Sequence, residues 1–424
     1  MSTPVIEVRA WGTRVGALAA DPRLQAYVFE YAPAWARGGI ELAPLTMPTS
    51  RPDRRFVFPD LAPSFLRLPG LVADALPDDF GNALIDAWMA RRGVSAADVT
   101  ALDRLSYMGK RGMGALEFRP ASGSHTESTK PLDMKNLVEA ARLALRGDFA
   151  GDTHAQTALA NMIRVGTSAG GARAKAVIAW NAANEEIRSG QFDAAPGFEH
   201  WLLKFDGVGA DLELGTSKDY GRIEYAYYKM ATSAGIDMMP SRLLHENGRS
   251  HFMTKRFDRD GNVRHHVQSL CALAHLDYKQ RATNSYEQLF LAINRLGLDD
   301  EARRQAYLRM VFNVMARNCD DHTKNFGFVL PERGPWALAP AFDVTHAHNP
   351  KGEWTAQHLM SVNGRFDDVR REDLEVVADR FGVVDAKGAV SSVRDAIERW
   401  PALAEEAGVA PDERQRVAAD FRLL

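Results

Sequence analysis

The sequence predicts an α+β chain in which strands lead and helices follow. Three observations carry that reading. Short runs of β-branched and aromatic residues, bounded by Gly, Asn and Asp, recur up to about residue 257. From Ser269 onward the apolar residues recur mainly at helical spacing. Between two apolar runs stands a dense polar cluster, Arg317-Asn318-Cys319-Asp320-Asp321-His322-Thr323-Lys324-Asn325.

A chain of 424 residues has room for two or more domains, and 46% hydrophobic with 25% charged residues is ordinary for a globular protein. The net charge of −3 gives no bulk electrostatic reason to bind nucleic acid or an anionic membrane. Two cysteines, Cys271 and Cys319, exclude a disulfide framework or a cysteine zinc site. Residues 1–10 lack the basic start and apolar core of a signal peptide, and no apolar run is long enough for a bilayer, so the cytoplasm is the expected location.

Residues 5–20 read as a hairpin around Gly12-Thr13-Arg14, and residues 27–31 and 40–42 as further strands. Prolines at 44, 48, 52, 59 and 63 mark an irregular path. Residues 78–92 read as a helix with Leu84, Ile85 and Trp88 on one face. The glycine-rich, basic run 108–114 suits a tight turn or contact with an anion. The polar stretch 121–130 is the expected linker, and residues 134–146 and 154–165 read as helices beyond it.

Next, Gly166-Thr167-Ser168-Ala169-Gly170-Gly171-Ala172-Arg173-Ala174-Lys175 runs into a strand at 176–180. Glycines let backbone N–H groups approach phosphate, and Arg173 and Lys175 add charge; a plain β-turn is the alternative. The spacing is not that of a Walker A loop. Lys204 sits inside the apolar strand 200–205, and Glu224 near the start of the helix 222–234. Lys204 either faces solvent at an edge or pairs with Glu224, which is otherwise an ordinary first-turn acid. A glycine-rich loop, a strand lysine and a helix glutamate follow in that order in the phosphate-binding lobe of protein kinases. Residues 241–244 and 251–257 flank an Asn-Gly hairpin turn, and residues 258–261 form another turn, where a kinase places its adenine-binding hinge. Helices are expected at 286–296, 299–316, 372–380, 386–400 and 412–421, with a strand at 326–330.

Asp320 and Asn325 are five apart, the spacing of a kinase catalytic loop. There the Asp lies beside the attacking hydroxyl and the Asn holds magnesium. Asp343, after Ala339-Pro340-Ala341-Phe342, supplies a further oxygen ligand for a small hard cation.

Together these segments resemble the HipA family of bacterial toxin–antitoxin kinases, over essentially the whole chain. Leu76-Pro77-Asp78-Asp79-Phe80-Gly81 and Gly112-Met113-Gly114-Ala115-Leu116 look like its N-terminal subdomain. The run 168–175 looks like its phosphate loop, and Lys255-Arg256-Phe257-Asp258-Arg259 like its hinge. Residues 320–325 and Phe342-Asp343 look like its catalytic and metal motifs. The resemblance implies an α+β, two-lobed protein-kinase-like fold, related to phosphoinositide lipid kinases and preceded by a small β-rich N-terminal subdomain. The expected units are 1–120, an N-lobe-like region 131–258 and a helical C-lobe 259–424. It implies a serine/threonine protein kinase using ATP and Mg2+. Gly170, Gly171, Ala172, Arg173, Ala174 and Lys175 would cradle phosphates, with Lys204, His322 and Lys324 also on the nucleotide. Lys255 and Phe257 would form the hinge. Asp320 would orient and deprotonate the substrate hydroxyl, and Asn325 and Asp343 would bind the metal. Ser168 would be the autophosphorylation site that silences the enzyme. The implied partners are a small helix-turn-helix antitoxin (HipB-like) and a protein substrate, for example an aminoacyl-tRNA synthetase. DNA would be reached only through the antitoxin, and no membrane is implied. Lys255 stands where some members carry glutamate, and Asp321 where others carry Gly or Arg; the spacing to Asn325 singles out Asp320.

Three other readings compete. A metal-dependent phosphohydrolase could be built from Asp320, Asp321, His322, Asp343, His346 and His348. A kinase fold could serve only as a scaffold for an antitoxin. A small-molecule kinase is the third, since nothing in the sequence names the phosphate acceptor.

Overall fold

A computed structural model describes residues 5–77, 79–122, 131–146, 153–166, 174–208 and 219–424. The chain is mixed α/β, built on two five-stranded sheets with a helical body behind them.

The first sheet joins β1 (Val5–Ala10), β2 (Thr13–Asp21), β3 (Ala26–Tyr31), β4 (Arg55–Val57) and β5 (Leu116–Arg119) in the order β4-β3-β2-β1-β5. Alternation in β1 buries Ile6, Val8 and Ala10 on one face. The hairpin turn is Trp11-Gly12, both at positive φ, one residue earlier than the glycine alone suggests. Tryptophan is an unusual residue for that backbone. Its ring stacks on Trp35, and its Nε1 donates to the Arg264 carbonyl at 2.7 Å. Residues 40–42 are not a strand, contrary to the sequence expectation. Their backbone serves the rest of the chain instead: the Glu41 carbonyl accepts from Trp336 Nε1 at 3.0 Å, and the Leu42 carbonyl from His266 Nε2 at 3.1 Å.

The second sheet contains β6 (Lys175–Asn181), β7 (Glu186–Ser189), β8 (Glu199–Lys204), β9 (Ser241–Glu246) and β10 (Arg249–Lys255), in the antiparallel order β7-β6-β8-β10-β9. Asn247 and Gly248, both at positive φ, close the β9–β10 hairpin as the Asn-Gly pair predicts. The helix Asp79–Ala90 joins two cores. Its Phe80 and Leu84 pack with Leu137, Leu159 and β6, whereas Ile85 and Met89 pack with the first sheet. The linker expected at 121–130 lies almost wholly outside the described residues.

The glycine-rich run Gly112-Met113-Gly114 does meet an anion, an internal one. The Gly114 N–H donates to Asp258 at 2.7 Å, and Asp258 is fully buried. Arg256 grips the same carboxylate through two nitrogens at 2.8 and 2.7 Å, and Arg259 adds a third contact at 2.6 Å. Arg264 donates to the Gly112, Gly114 and Leu116 carbonyls.

Behind the second sheet, the helix Tyr220–Ser233 packs beside the buried helix Asp300–Met315 in one large core that runs on to Val417. In a small sheet Gly327–Leu330 pairs with His266–Ser269 on one side and with Ala337–Leu338 on the other. Among the described residues no helix is long and apolar enough to cross a membrane.

Gly221 lets the Glu224-bearing helix approach β10: a Cβ there would sit 2.0 Å from the Ser250 carbonyl oxygen. Gly221→Ala should therefore lower unfolding free energy by about 1–3 kcal/mol, as overpacking does. Chemical denaturation measures it, and an unchanged midpoint would contradict this packing.

Candidate active site

Register places two lysines face to face. Lys175 opens β6, Lys204 closes β8, and the two are cross-strand partners. Both are buried. Like charges opposite one another repel, so this arrangement requires carboxylates. Lys204 Nζ bonds Glu224, which is 1% exposed on its helix, and also Asp343, which follows Phe342 in the loop beyond the small sheet. Burial alone would discharge Lys204, but Asp343 and Glu224 raise its pKa above the ordinary lysine value. Burial likewise opposes ionisation of Asp343, yet the Lys204 and Lys175 ammoniums bring its carboxyl down to about 2. Asp343 adopts φ 54°, a left-handed backbone that non-glycine residues hold at a cost and that concentrates at functional sites.

The catalytic-loop sequence follows the long helix. Asp320 and Asp321 have opposite surroundings. The Asp321 side chain is fully buried and accepts from Tyr286 Oη at 2.7 Å, His358 Nδ1 at 2.9 Å and the Leu359 N–H at 2.7 Å. The network continues, for Asn313 Nδ2 donates to Tyr286 Oη and Asn318 Nδ2 to Asn313 Oδ1, each at 3.0 Å. The Asp320 side chain is 45% exposed, with His322 Nε2 3.7 Å away. Asn325 Nδ2 donates to the Asp320 carbonyl at 2.7 Å, which leaves the amide oxygen as the end available to a cation. Asn325 and Asp343 line one small cavity under the loop. An amide oxygen and a carboxylate that is ionised at neutral pH suit a small hard cation such as Mg2+, which takes oxygen donors and keeps several waters.

The other expected site residues are placed as follows. Lys324 Nζ lies over the Tyr278 ring, 4.7 Å from its centroid, and His322 meets the same ring at 5.4 Å. Phe257 stacks on Phe342 with centroids 5.7 Å apart, so the hinge segment touches the residue before Asp343. Ala174 is buried at the mouth of β6, where its carbonyl accepts from the Phe205 N–H at 3.0 Å. The Lys255 side chain is not brought to the site: Nζ bonds Glu199 at 2.6 Å, and its N–H donates to the Pro240 carbonyl. Ser168, Gly170, Gly171, Ala172 and Arg173 lie outside the described residues.

The phosphohydrolase constellation is dispersed. His346 and His348 turn to Asp420, at 2.8 and 3.1 Å, and Asp321 is occupied by its three donors. Among the described residues no group of three or more His, Cys, Asp or Glu could hold a metal ion. Sequence reasoning missed Tyr286, Asn313 and His358 as anchors of the loop. Asn313 had a signal, a lone amide inside an apolar helical run; His358, far along the chain, had none.

The two sheets, each with its own core, divide the chain in two, and the buried lysine–carboxylate group and Asp320 lie in the second part. Family comparison agrees on the division: residues 6–119 match the HipA N-terminal domain, and residues 167–407 the HipA-like C-terminal domain. The chain belongs to the HipA family. No curated protein matches it in sequence. Among solved structures it is similar to a chain of the Shewanella oneidensis MR-1 toxin–antitoxin complex of HipA, HipB and operator DNA. That match has a TM-score of 0.68 and 17% identity, over 98% of this chain and 94% of that one. A second match, the Helicobacter pylori proinflammatory kinase CtkA, has a TM-score of 0.34 and 14% identity, over 52% of this chain and 90% of that one.

His358 ties the loop to pH. Burial opposes its charge, but Cys319 and Asp321 raise its pKa from 6.5 to about 10. A pKa raised on folding stabilises fully below about pH 6.5 and progressively less as pH rises towards about 10. Denaturant titrations should show wild-type stability falling across that window, and His358→Gln should flatten the fall. Equal slopes in both proteins would remove His358 as its source.

Proposed function

We propose that this chain is an ATP-dependent serine/threonine protein kinase with a two-lobed, protein-kinase-like catalytic region, acting as the toxin of a toxin–antitoxin pair. The single observation that carries the reading is Lys204 bound to both Glu224 and Asp343. A strand lysine fixed by a helix glutamate, beside an acid and an Asp-x-x-x-x-Asn loop, is the working set of a phosphoryl-transfer site. Family membership and the fold support it. We keep the sequence-based units, 1–120, 131–258 and 259–424, as part of the proposal.

In this reading Lys204 and Lys175 draw the ATP phosphates into the cleft, joined by Lys324, His322 and the loop Gly170, Gly171, Ala172, Arg173 and Ala174. Backbone groups near Lys255, with Phe257, border the adenine. Asn325 and Asp343 hold Mg2+, which when bound neutralises phosphate charge. Asp320 faces the acceptor hydroxyl, orients it and takes its proton. Such catalysis is mostly positioning and charge compensation, because the transition state is loose. Phosphate on Ser168 would add about −1.5 to −2 charges to the loop that must cradle ATP, disfavouring the bound form. The partner would be a small HipB-like helix-turn-helix antitoxin, in keeping with the composition of the Shewanella complex. DNA would be reached through that partner, and the substrate would be a protein such as an aminoacyl-tRNA synthetase.

Asp320→Asn should fold normally and lose transfer by about 10²–10⁴-fold, the range for a general base. Phosphopeptide mass spectrometry after incubation with MgATP should find phosphate on Ser168 in wild type alone. Undiminished transfer by the variant would defeat the assignment of Asp320. Absence of Asp320-dependent phosphorylation, both of the chain and of an added cell extract, would defeat the kinase reading.

A further inference from the structure

Lys324 and His322 both rest on one aromatic ring. Lys324 Nζ is 4.7 Å from the Tyr278 centroid, and the His322 ring meets it edge-on at 5.4 Å. Lys279 reaches only the margin, at 5.8 Å. A long lysine side chain has many rotamers, and a ring beneath its ammonium selects few of them.

The segment that carries Tyr278 is fastened on two sides. On the catalytic-loop side, the Thr323 hydroxyl donates to the Leu276 carbonyl at 3.0 Å. On the other side stands the N-terminal domain. Ser64 Oγ donates to Asp277 at 2.6 Å, and the Gly70 N–H to His275 Nε2 at 3.1 Å. Phe58 and Phe65 pack on the His275 ring. Gly70 is required there, since a Cβ would sit 2.2 Å from the Ala272 carbonyl oxygen. Asp74 accepts from the Ser269 N–H and hydroxyl at 2.7 and 2.8 Å, at the start of the same segment.

We propose that Tyr278 is a positioning residue for the nucleotide end of the catalytic loop, a ring on which Lys324 and His322 are preset and which residues 58–74 of the N-terminal domain hold in place. The inference rests on the kinase reading for what Lys324 meets. It goes beyond that reading in giving the N-terminal domain a part in assembling the site. Tyr278 itself touches no reacting atom in this scheme. The proposal assigns the effect to the face of the ring, so the ring of phenylalanine should serve as well.

The test uses the full-length protein as wild type, Tyr278→Phe, Tyr278→Leu and Asp277→Ala, with two readouts. The first needs no nucleotide: the NMR shift of the Lys324 ε-methylene, which a ring beneath it moves upfield. The second is MgATP affinity by calorimetry. Wild type and Tyr278→Phe should share the upfield shift and agree in Kd within about twofold, whereas Tyr278→Leu should lose the shift and bind about three- to tenfold more weakly, the range of a half-exposed cation–π contact. Asp277→Ala, which loosens the segment and leaves the ring, should move both readouts the same way by less. An unchanged Lys324 shift in Tyr278→Leu, or unchanged affinity there, overturns the proposal. A wild type that shows the ring-current shift yet binds no MgATP upholds the platform and overturns the kinase reading alone.

Discussion

The site depends on one electrostatic constraint, two buried lysines set opposite each other on adjacent strands. Their charges repel, and among the described residues Glu224 and Asp343 bond Lys204 from separate elements. Glu224 comes from the helix that Gly221 brings against β10, and Asp343 from the loop beyond the small sheet. Breaking such a buried pair by removing one partner typically costs about 3–5 kcal/mol, so strand, helix and loop are bound to each other's positions. The two anions are not equivalent. Glu224 is sealed in, whereas the Asp343 side chain is 26% exposed and sits on a left-handed backbone. Of the two partners of Lys204, Asp343 is therefore the one that solvent reaches.

A second buried charge cluster ties the N-terminal domain to the segment where the strands end and the helical body begins. Asp258 has no exposure and three kinds of donor: a two-pronged Arg256, Arg259 and the Gly114 N–H. Burial would raise its pKa, and the arginines hold the carboxyl far below the usual range. One partner in this cluster is a peptide group of the first domain. That domain is thus more than a neighbour, because separating it would leave a carboxylate and two guanidinium groups buried with fewer partners. The Asp74–Ser269 and Gly70–His275 bonds repeat the arrangement at the start of the next segment.

Much of this was legible in the sequence where a local rule applies. The Asn247-Gly248 hairpin, the helix 300–315 and the pairing of Lys204 with Glu224 follow from turn chemistry, periodicity and the order of parts. What escaped has long-range causes. Residues 40–42 look like a strand because their side chains alternate, but their carbonyls are taken by Trp336 and His266, more than two hundred residues away. The run 112–114 offered a choice between turn and anion, and no local rule says that the anion would be Asp258. Lys255 reads as a hinge residue by motif, yet its side chain belongs to a surface pair with Glu199 that only the β8–β10 register creates.

The adjacent Asp320 and Asp321 show how that division between local and distant causes shapes the site. A carboxylate has about four acceptor positions, and Asp321 engages a phenol, an imidazole and a peptide N–H. Since its donors come from residues 286, 358 and 359, Asp321 is held by two stretches of chain far apart in sequence. The Asn325 amide then grips the Asp320 carbonyl, fixing the loop through its backbone. With the backbone held in this way, the Asp320 side chain stands half-exposed. Identical side chains one residue apart thus have opposite surroundings: Asp321 is buried among three donors and fixes the loop, whereas Asp320 reaches solvent beside His322.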